Sequence, residues 1–385
     1  MAVLLLVSVP SLSAHGAPVP TGSSPGGPIA PTGPGASPSP LDPGATARAR
    51  VLDLLDSGMV PAHDLFLPNL AALGTHPRSG ATQPLEQPSP APMGVSDLGL
   101  TWSNGSRVSQ NVTTSSVQGG LNLSSVAPFN LVNSGPFTFG VQLNTVLSNV
   151  TVEGNGGYTF WTQNVAEFSP DTGELELVNN IWNFSSGSGY LPASTILDGN
   201  GYVAGSEVYL YSAPVITNIS VPFSLSLTLT AAVEGGEDTV FFNFSLAEPG
   251  APTLAGTYDT VQFASQGPRP QTPVPPLFAI NGYRATPIGV ASDAELILGG
   301  PGSGSSATFR NITGTMTLDL WNVSTGQYHA VPSAFDFGLE TGETSTGVGI
   351  YYSSATGAGP VAVLATGPSL LTPLWGAGGV PGALR

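Results

Sequence analysis

The sequence has no cysteine and no lysine, and only 8% of its 385 residues are charged, against about 25% in an ordinary soluble protein. The missing cysteines exclude disulfide bonds, thiol nucleophiles and thiolate metal sites. The only basic side chains besides histidine are eight arginines. They cannot form a patch for phosphate groups, so we expect no nucleic acid partner.

The low number of charges also bears on the pH at which the protein could work. The formal net charge is −16 at pH 7, but with all carboxyls protonated the arginines and four histidines leave only about +12. A lysine-rich chain would repel itself far more strongly in acid. The composition therefore favours acid tolerance. A GC-rich coding bias, which raises Gly, Ala, Pro and Arg at the expense of Lys, is the alternative explanation.

Histidine is too scarce to build the common catalytic sites. His15, His63 and His76 lie in the N-terminal part, which leaves only His329 in the remainder of the chain. A Ser-His-Asp triad would depend on His329, and the sequence has no nucleophile elbow. A histidine-based metal site is equally implausible. We expect no metal and no cofactor, and if the protein is an enzyme, carboxyl groups must act as its acid and base.

The chain divides into four predicted segments. Residues 1–17 resemble a signal peptide, with a short apolar run followed by small residues. Residues 18–90 are rich in Pro and Gly and read as a linker or propeptide with one short helix at 46–58. Residues 91–365 form the predicted catalytic β domain, and residues 366–385 form a Gly/Pro-rich tail.

Sequons for N-linked glycosylation agree with export. Nine Asn-x-Ser/Thr sequences are present, at Asn104, Asn111, Asn122, Asn149, Asn183, Asn218, Asn243, Asn311 and Asn322. Together with the signal-like start, they lead us to expect a secreted, extracellular monomer with N-linked glycans as candidate modifications.

From Pro92 onward the sequence has the pattern of β-strands. Residues 221–229 (VPFSLSLTL) alternate apolar with polar side chains, and further short apolar runs are separated by turn residues. Many short strands with frequent turns predict an all-β fold, an antiparallel β-sandwich that follows the Pro/Gly-rich N-terminal part.

The most distinct element is a hairpin at residues 158–186, where YTFWTQNVAEF and ELELVNNIWNFSS flank the turn SPDTG. It places Gln163 and Glu167 on the strand face of Trp161. The tripeptide at 171–173 resembles the Asp-Thr-Gly of pepsin-like proteases. Because it joins two strands, where Asp, Thr and Gly are ordinary turn residues, we interpret it as a turn.

A second segment, SDAELILGG at 292–300, could supply the carboxyls. Alternation along one strand would place Asp293, Glu295 and Ile297 on the same face. Two neighbouring carboxyls move their pKa values apart, which suits general acid–base hydrolysis at low pH. The alternative, which spacing alone favours, is that Asp293 caps a turn and Glu295 faces solvent.

These segments resemble the thermopsin family, secreted acid proteases of archaea. The resemblance covers roughly residues 90–355. It rests on both hairpin strands, on PMGVSDLG at 92–99, Tyr258-Asp259, Asp293-Ala294-Glu295-Leu296 and Phe337-Gly338-x-Glu340-Thr341-x-Glu343. It implies an acid endopeptidase without a metal, made as a secreted precursor, that acts on unfolded protein or peptide substrates. Asn164 and Asn179 stand where some members carry Asp, so we do not expect them to be catalytic.

A shorter resemblance links WTQNV (161–165) and Asp-Ala-Glu295-Leu with the eqolisins, glutamic peptidases with a jelly-roll-like β-sandwich. It implies that Glu295 is general base and then acid, while the Gln163 amide stabilises the oxyanion. The competing hypothesis is an aspartic dyad of Asp259 and Asp293 that shares one proton.

Other candidates and another class of function stay open. Asp97 and Glu343 are further carboxyl candidates, and Trp161 and Trp182 are expected to line the substrate cleft. A secreted, glycosylated β-sandwich could instead be a cell-surface or carbohydrate-binding module, which would need no protonatable pair and would show no proteolysis at any pH.

Overall fold

The structure, a computed structural model, describes residues 60–68, 90–103, 106–128, 137–185, 189–265, 274–285, 291–331, 335–337, 341–353 and 361–367. All of them belong to one unit, Leu41–Arg385. The signal-like segment, the helix expected at 46–58 and nearly all of the predicted tail lie outside the described residues.

The fold is an antiparallel β-sandwich, as the alternation of the sequence predicts. Within the described residues the helical elements are two single 3-10 turns, Ala62–Asp64 and Ala193–Thr195. No helix there has the length and apolar character needed to cross a membrane. Among the described strands, neighbours are antiparallel apart from one parallel contact, at residues 306–308.

In the described part of the chain, sheet A has eleven strands; strands of all sheets are numbered together in chain order. They are β1 (Met93–Asp97), β4 (Asn111–Thr114), β6 (Phe139–Val152), β7 (Asn155–Ser169), β8 (Glu174–Asn183), β10 (Tyr202–Ala204), β11 (Val208–Ser212), β15 (Leu277–Ala285), β16 (Ala291–Ser292), β17 (Ala294–Gly299) and β20 (Phe335–Phe337). Its main path runs β10-β11-β8-β7-β6-β17-β1-β20.

Over the same described ranges, sheet B has ten strands, and a separate ribbon has two. Sheet B contains β5 (Ser116–Pro128), β9 (Ile196–Asp198), β12 (Phe223–Glu234), β13 (Glu237–Ala247), β14 (Leu254–Phe263), β18 (Ser306–Asn322), β19 (Gln327–Ala330), β21 (Thr344–Thr346), β22 (Val348–Ser353) and β23 (Val361–Thr366). The ribbon pairs β2 (Leu100–Ser103) with β3 (Ser106–Ser109).

The main core lies between the two sheets. Strand β12 buries every second residue, as its alternating sequence predicts. The sheets approach closely at Gly119 of β5, where an added Cβ would come within 2.6 Å of a methyl group of Leu296 on β17. Phe168 and Phe223 pack edge to face across the gap, with ring centroids 5.0 Å apart. The inner face of sheet A is therefore fixed by close packing.

The predicted hairpin is present as β7 and β8, and the tripeptide Asp171-Thr172-Gly173 forms its turn. The Gly173 N–H donates to the Ser169 carbonyl at 2.8 Å, and Gly173 has a φ of +67°, which favours glycine. The Asp171 carboxyl accepts a hydrogen bond from the Phe137 N–H at 3.2 Å. This carboxyl lies at the tip of the hairpin, exposed, and the turn interpretation is confirmed.

The strand expected at 292–300 is interrupted, so the prediction of one continuous strand is wrong. Asp293 belongs to no strand, because the chain changes neighbours there: β16 pairs with β15, whereas β17 pairs with β6 and β1. The Asp293 carbonyl instead accepts a hydrogen bond from the Thr145 hydroxyl at 3.0 Å. Alternation resumes at Ala294, and Glu295 and Ile297 share one face of β17.

Candidate active site

A row of polar side chains crosses the outer face of sheet A. The strand register aligns one residue each from β8, β7, β6, β17 and β1, and residues paired in this way share a face; they are Asn180, Gln163, Asn144, Glu295 and Ser96. All five are fully buried. The fold therefore brings Gln163 and Glu295 onto one face with one strand between them, their backbones about 10 Å apart.

The Gln163 side chain is oriented by a tryptophan. The indole Nε1–H of Trp182 donates to the Gln163 Oε1 at 3.0 Å. Because an indole N–H can only donate, this contact requires the amide oxygen and assigns the NH₂ group to the opposite side. The Gln163 Nε2 has no hydrogen-bond partner among the described residues. A buried donor is thus available in the row.

Asn144 lies between the two predicted catalytic residues. Its Nδ2 donates to the Glu295 Oε1 at 2.9 Å and also lies 3.2 Å from the Thr341 hydroxyl. A hydrogen bond from an amide to a carboxylate favours the ionised form and orients it. Sequence reasoning did not single out Asn144, because only the pairing of β6 with both β7 and β17 reveals its position.

The two tryptophans form an apolar wall beside the row. Trp161 and Trp182 are paired across β7 and β8 and are almost completely buried. They pack in a cluster with aliphatic residues, and Trp161 stacks on Phe184 with ring centroids 5.7 Å apart. The structure places both next to Gln163, and their cleft-lining role stays a prediction.

A group of carboxyls lies on the same face, further along the strands. Glu167 is paired with Glu176 across β7 and β8. Burial, and then the charges of Glu176, Asp64 and Glu343, raise the pKa of Glu167 to about 8. Burial raises the pKa of Glu343 to about 7, although the N–H groups of Leu67 and Gly304, which donate to its Oε1, act in the opposite direction. These groups hold protons well above the ordinary range of a carboxyl.

Asp259 is not on this face. Its carboxyl accepts hydrogen bonds from the Asn179 Nδ2 and the Tyr209 hydroxyl, both at 2.8 Å, and from the Asn200 N–H at 2.9 Å. Asn179 precedes the row residue Asn180 on β8, so its side chain points to the inner face. Asp259 therefore lies between the sheets, apart from Glu295.

The remaining carboxyl candidates are also outside the row. Asp293 is buried directly before β17. Asp97 ends β1, one position beyond the row residue Ser96, and its Oδ1 accepts a hydrogen bond from the Gly99 N–H at 2.9 Å. The register therefore places Glu295 and Gln163 in one row and places neither Asp293 nor Asp259 there.

A group of potential metal ligands lies near the row and shares no residue with it. One ligand atom each from His63, Asp64 and Glu176 lies within 4.8 Å of the others. Such a group can ligate a cation only with its carboxyls ionised and its imidazole neutral. We assign this group no role in the chemistry.

The comparisons with known proteins agree with the resemblance of the sequence motifs. The family model described as Thermopsin matches residues 81–348, a range that contains the whole row. Thermopsin from Sulfolobus acidocaldarius is 28% identical over 283 residues, which cover 71% of this chain and 79% of that protein. This chain belongs to the thermopsin family and is a peptidase of that family.

Proposed function

We propose that this peptidase is a secreted acid endopeptidase in which Glu295 activates water and Gln163 stabilises the oxyanion. The observation that carries the proposal is the Trp182–Gln163 hydrogen bond. It leaves the Gln163 NH₂ group as a buried donor on the sheet face that also presents the Glu295 carboxyl. A fixed donor in a site without water is the arrangement that stabilises a developing oxyanion most effectively.

The reaction would proceed in two proton transfers. The Glu295 carboxylate removes a proton from water while the water oxygen attacks the peptide carbonyl carbon, and the new oxyanion accepts a hydrogen bond from the Gln163 Nε2. The protonated Glu295 then donates its proton to the leaving nitrogen as the C–N bond breaks. Asn144, whose Nδ2 donates to the Glu295 Oε1 at 2.9 Å, holds the carboxyl in place.

Acid conditions and export are part of the same proposal. A carboxylate can act as a base at a pH where histidine would be permanently protonated, and the lysine-free composition limits self-repulsion in acid. Several sequon asparagines are exposed on the strands or in loops, among them Asn122, Asn218 and Asn311. We therefore propose extracellular peptide or unfolded protein substrates, no metal and no other cofactor, and N-linked glycans as candidate modifications.

A matched pair of variants tests the assignment. Purified protein is incubated with acid-unfolded haemoglobin from pH 1 to 7, and we expect cleavage to peak below about pH 4, where unperturbed carboxyls titrate. Glu295→Gln should lower the rate at least about 100-fold because the proton-transfer group is lost. Asp259→Asn should keep the rate per folded molecule within about threefold.

Two results would contradict the proposal. An active Glu295→Gln variant together with an inactive, folded Asp259→Asn variant would favour the aspartic dyad. Absence of proteolysis by the unmodified protein at every pH would favour a binding module.

A further inference from the structure

The residues of the candidate site are buried, although a peptidase must admit a polypeptide to its catalytic groups. Gln163, Asn144 and Glu295 have no exposed surface. The segment 60–68 (VPAHDLFLP), which we call the strap, lies against the same face of sheet A, where it contacts the row residue Asn180 and the tryptophan cluster. The strap precedes the family match at 81–348, whereas the residues that it contacts lie within that match.

The strap is bound through its main chain by a residue of the polar row. The Phe66 N–H donates to the Asn180 Oδ1 at 2.7 Å, and the Asn180 Nδ2 donates to the Asp64 carbonyl at 3.0 Å. Between them Leu65 is extended, with φ −114° and ψ 107°. A side-chain amide that satisfies one N–H and one C=O of an extended chain recognises peptide backbone irrespective of sequence.

The C-terminal end of the strap is bound in the same manner. The Leu67 N–H donates to the Glu343 Oε1 at 3.0 Å, and the Leu67 carbonyl accepts from the Gly342 N–H at 2.7 Å. Pro68 then forms an antiparallel bridge with Thr341. The strap therefore pairs with the segment that carries Glu343, much as a bound peptide adds to a sheet edge.

Side chains of the strap pack on apolar residues of the outer face, and we call the surface beneath the strap the groove. Leu65 packs in the cluster of Trp161 and Trp182. Phe66 packs against Val165 and Val178. Both strap residues are fully buried, so removal of the strap would expose the floor beside the polar row.

We propose that residues 60–68 are an autoinhibitory strap that occupies the substrate groove as a bound peptide and must leave before a substrate can enter. The inference rests on the proposed function, because it assumes that the polar row is the catalytic site. A tethered segment competes at an effective concentration in the millimolar range, which excludes weakly bound substrates. The main-chain contacts of Asn180 and Glu343 are then the ones that a substrate would inherit.

A disulfide bond can test whether the strap must move. A Cβ built at Gly342 lies 3.3 Å from the Leu67 Cβ, close to the usual disulfide range of about 3.5–4.5 Å. The chain has no other cysteine to interfere. In the double variant Leu67→Cys/Gly342→Cys, oxidation would tie the strap to the groove, and it would stay there even if the chain were cleaved after Pro68.

We expect haemoglobin hydrolysis by the double variant to fall at least tenfold on oxidation and to recover with a phosphine reductant. The single variants Leu67→Cys and Gly342→Cys control for effects of the substitutions and of the redox treatment. Phe66→Ala provides the opposite change: it loosens the strap without altering the groove and should raise the rate severalfold. Equal rates in the oxidised and reduced double variant, with the disulfide verified by mass spectrometry, would overturn the proposal.

A binding measurement separates failure of this inference from failure of the proposed function. In the Glu295→Gln background, a fluorescein-labelled casein peptide should bind the reduced double variant and not the oxidised one. If the peptide binds only the reduced form but the unmodified protein never cleaves a substrate, the strap proposal is supported and the proposed function fails. If the peptide binds both forms equally, the strap proposal fails whatever the activity.

Discussion

Two neighbouring amides on β7, one on each face of sheet A, have very different hydrogen-bond partners. Asn164, on the inner face, donates from its Nδ2 to the carbonyls of Thr228 and Asn243 at 3.1 and 3.0 Å and accepts from the Tyr258 hydroxyl at 2.9 Å. Gln163, on the outer face, accepts from Trp182, and its NH₂ group has no partner among the described residues. Both side chains are fully buried.

Asp259, on the inner side, differs from the amides of the outer row in the same way. Asp259 lies between the sheets and accepts hydrogen bonds from a tyrosine, an asparagine and main-chain N–H groups. The outer row keeps donor and acceptor atoms without partners in the described structure, the Asn144 Oδ1 as well as the Gln163 Nε2. An unsatisfied buried polar group costs about 1–3 kcal/mol. The Asn164 amide is thus fully used in holding the sheets together, whereas Gln163 and Asn144 each keep a polar atom that a ligand could satisfy.

The largest expected difference between the faces comes from replacing each amide with leucine. Gln163→Leu should lower kcat about 100- to 1000-fold, because it removes the oxyanion donor. It leaves the Trp182 indole N–H without an acceptor but also removes the unsatisfied Gln163 donor, so the free energy of unfolding should change by less than about 1 kcal/mol. Asn164→Leu should do the reverse and destabilise by about 1–3 kcal/mol, because it strands two carbonyls and a hydroxyl.

Haemoglobin hydrolysis and urea unfolding on the same preparations measure both effects. Comparable loss of stability in the two variants, with kcat unchanged in Gln163→Leu, would erase the proposed distinction between the faces.

The second expected difference concerns pH, because carboxyls with raised pKa values lie on the outer face. Glu167 and Glu343 have folded-state pKa values of about 8 and about 7, against an ordinary value of 4.5. The folded state therefore holds more protons than the unfolded state between these limits, so stability falls as the pH rises. The stabilisation from these carboxyls is complete below about pH 4.5 and is lost above about pH 8. For each carboxyl it amounts to about 1.4 kcal/mol per unit by which the folded-state pKa exceeds the unfolded-state pKa.

Unfolding by urea at pH 3 to 8 checks this window. Between pH 3 and 8, Glu167→Gln should reduce the loss in the free energy of unfolding by a few kcal/mol, since glutamine needs no proton to remain neutral. Glu234→Gln, an exposed position on sheet B with the same change in charge, serves as the control and should leave the decline as it is. A decline of equal slope in both variants would move the source of the pH dependence away from the outer face.

Much of the fold follows from local pattern in the sequence. The alternation at residues 223–229 predicts which face of β12 is buried, and the turn residues at 170–173 predict the β7–β8 hairpin. Asp293 shows the limit of this reasoning: alternation treats residues 292–300 as one strand, but a change of partner strand interrupts it there. Which strands lie side by side is a long-range property that periodicity does not contain.

The site was predictable in part for the same reason. Gln163 and Glu295 stand in short motifs, so sequence could propose them, and alternation could place each on a face. Asn144 has no motif and gains its position only because β6 pairs with both β7 and β17. Asn180 and the strap were missed because their contact joins residues 114 or more positions apart, and the strap lies in a Pro/Gly-rich segment where sequence indicates only a linker or propeptide.

The smallest expected effect tests how the outer face holds its unsatisfied donor. Trp182→Phe removes the indole N–H that orients Gln163, so the amide can rotate, and kcat should fall about tenfold with KM nearly unchanged. Trp161→Phe is the matched control, because it lies in the same cluster and its Nε1 has no partner among the described residues. In a Gln163→Leu background, Trp182→Phe should cause no further loss of kcat, since an orienting residue acts only through the group it orients. An undiminished tenfold loss in that background would mean that Trp182 contributes through packing, and the donor of Gln163 would then need another explanation for its orientation.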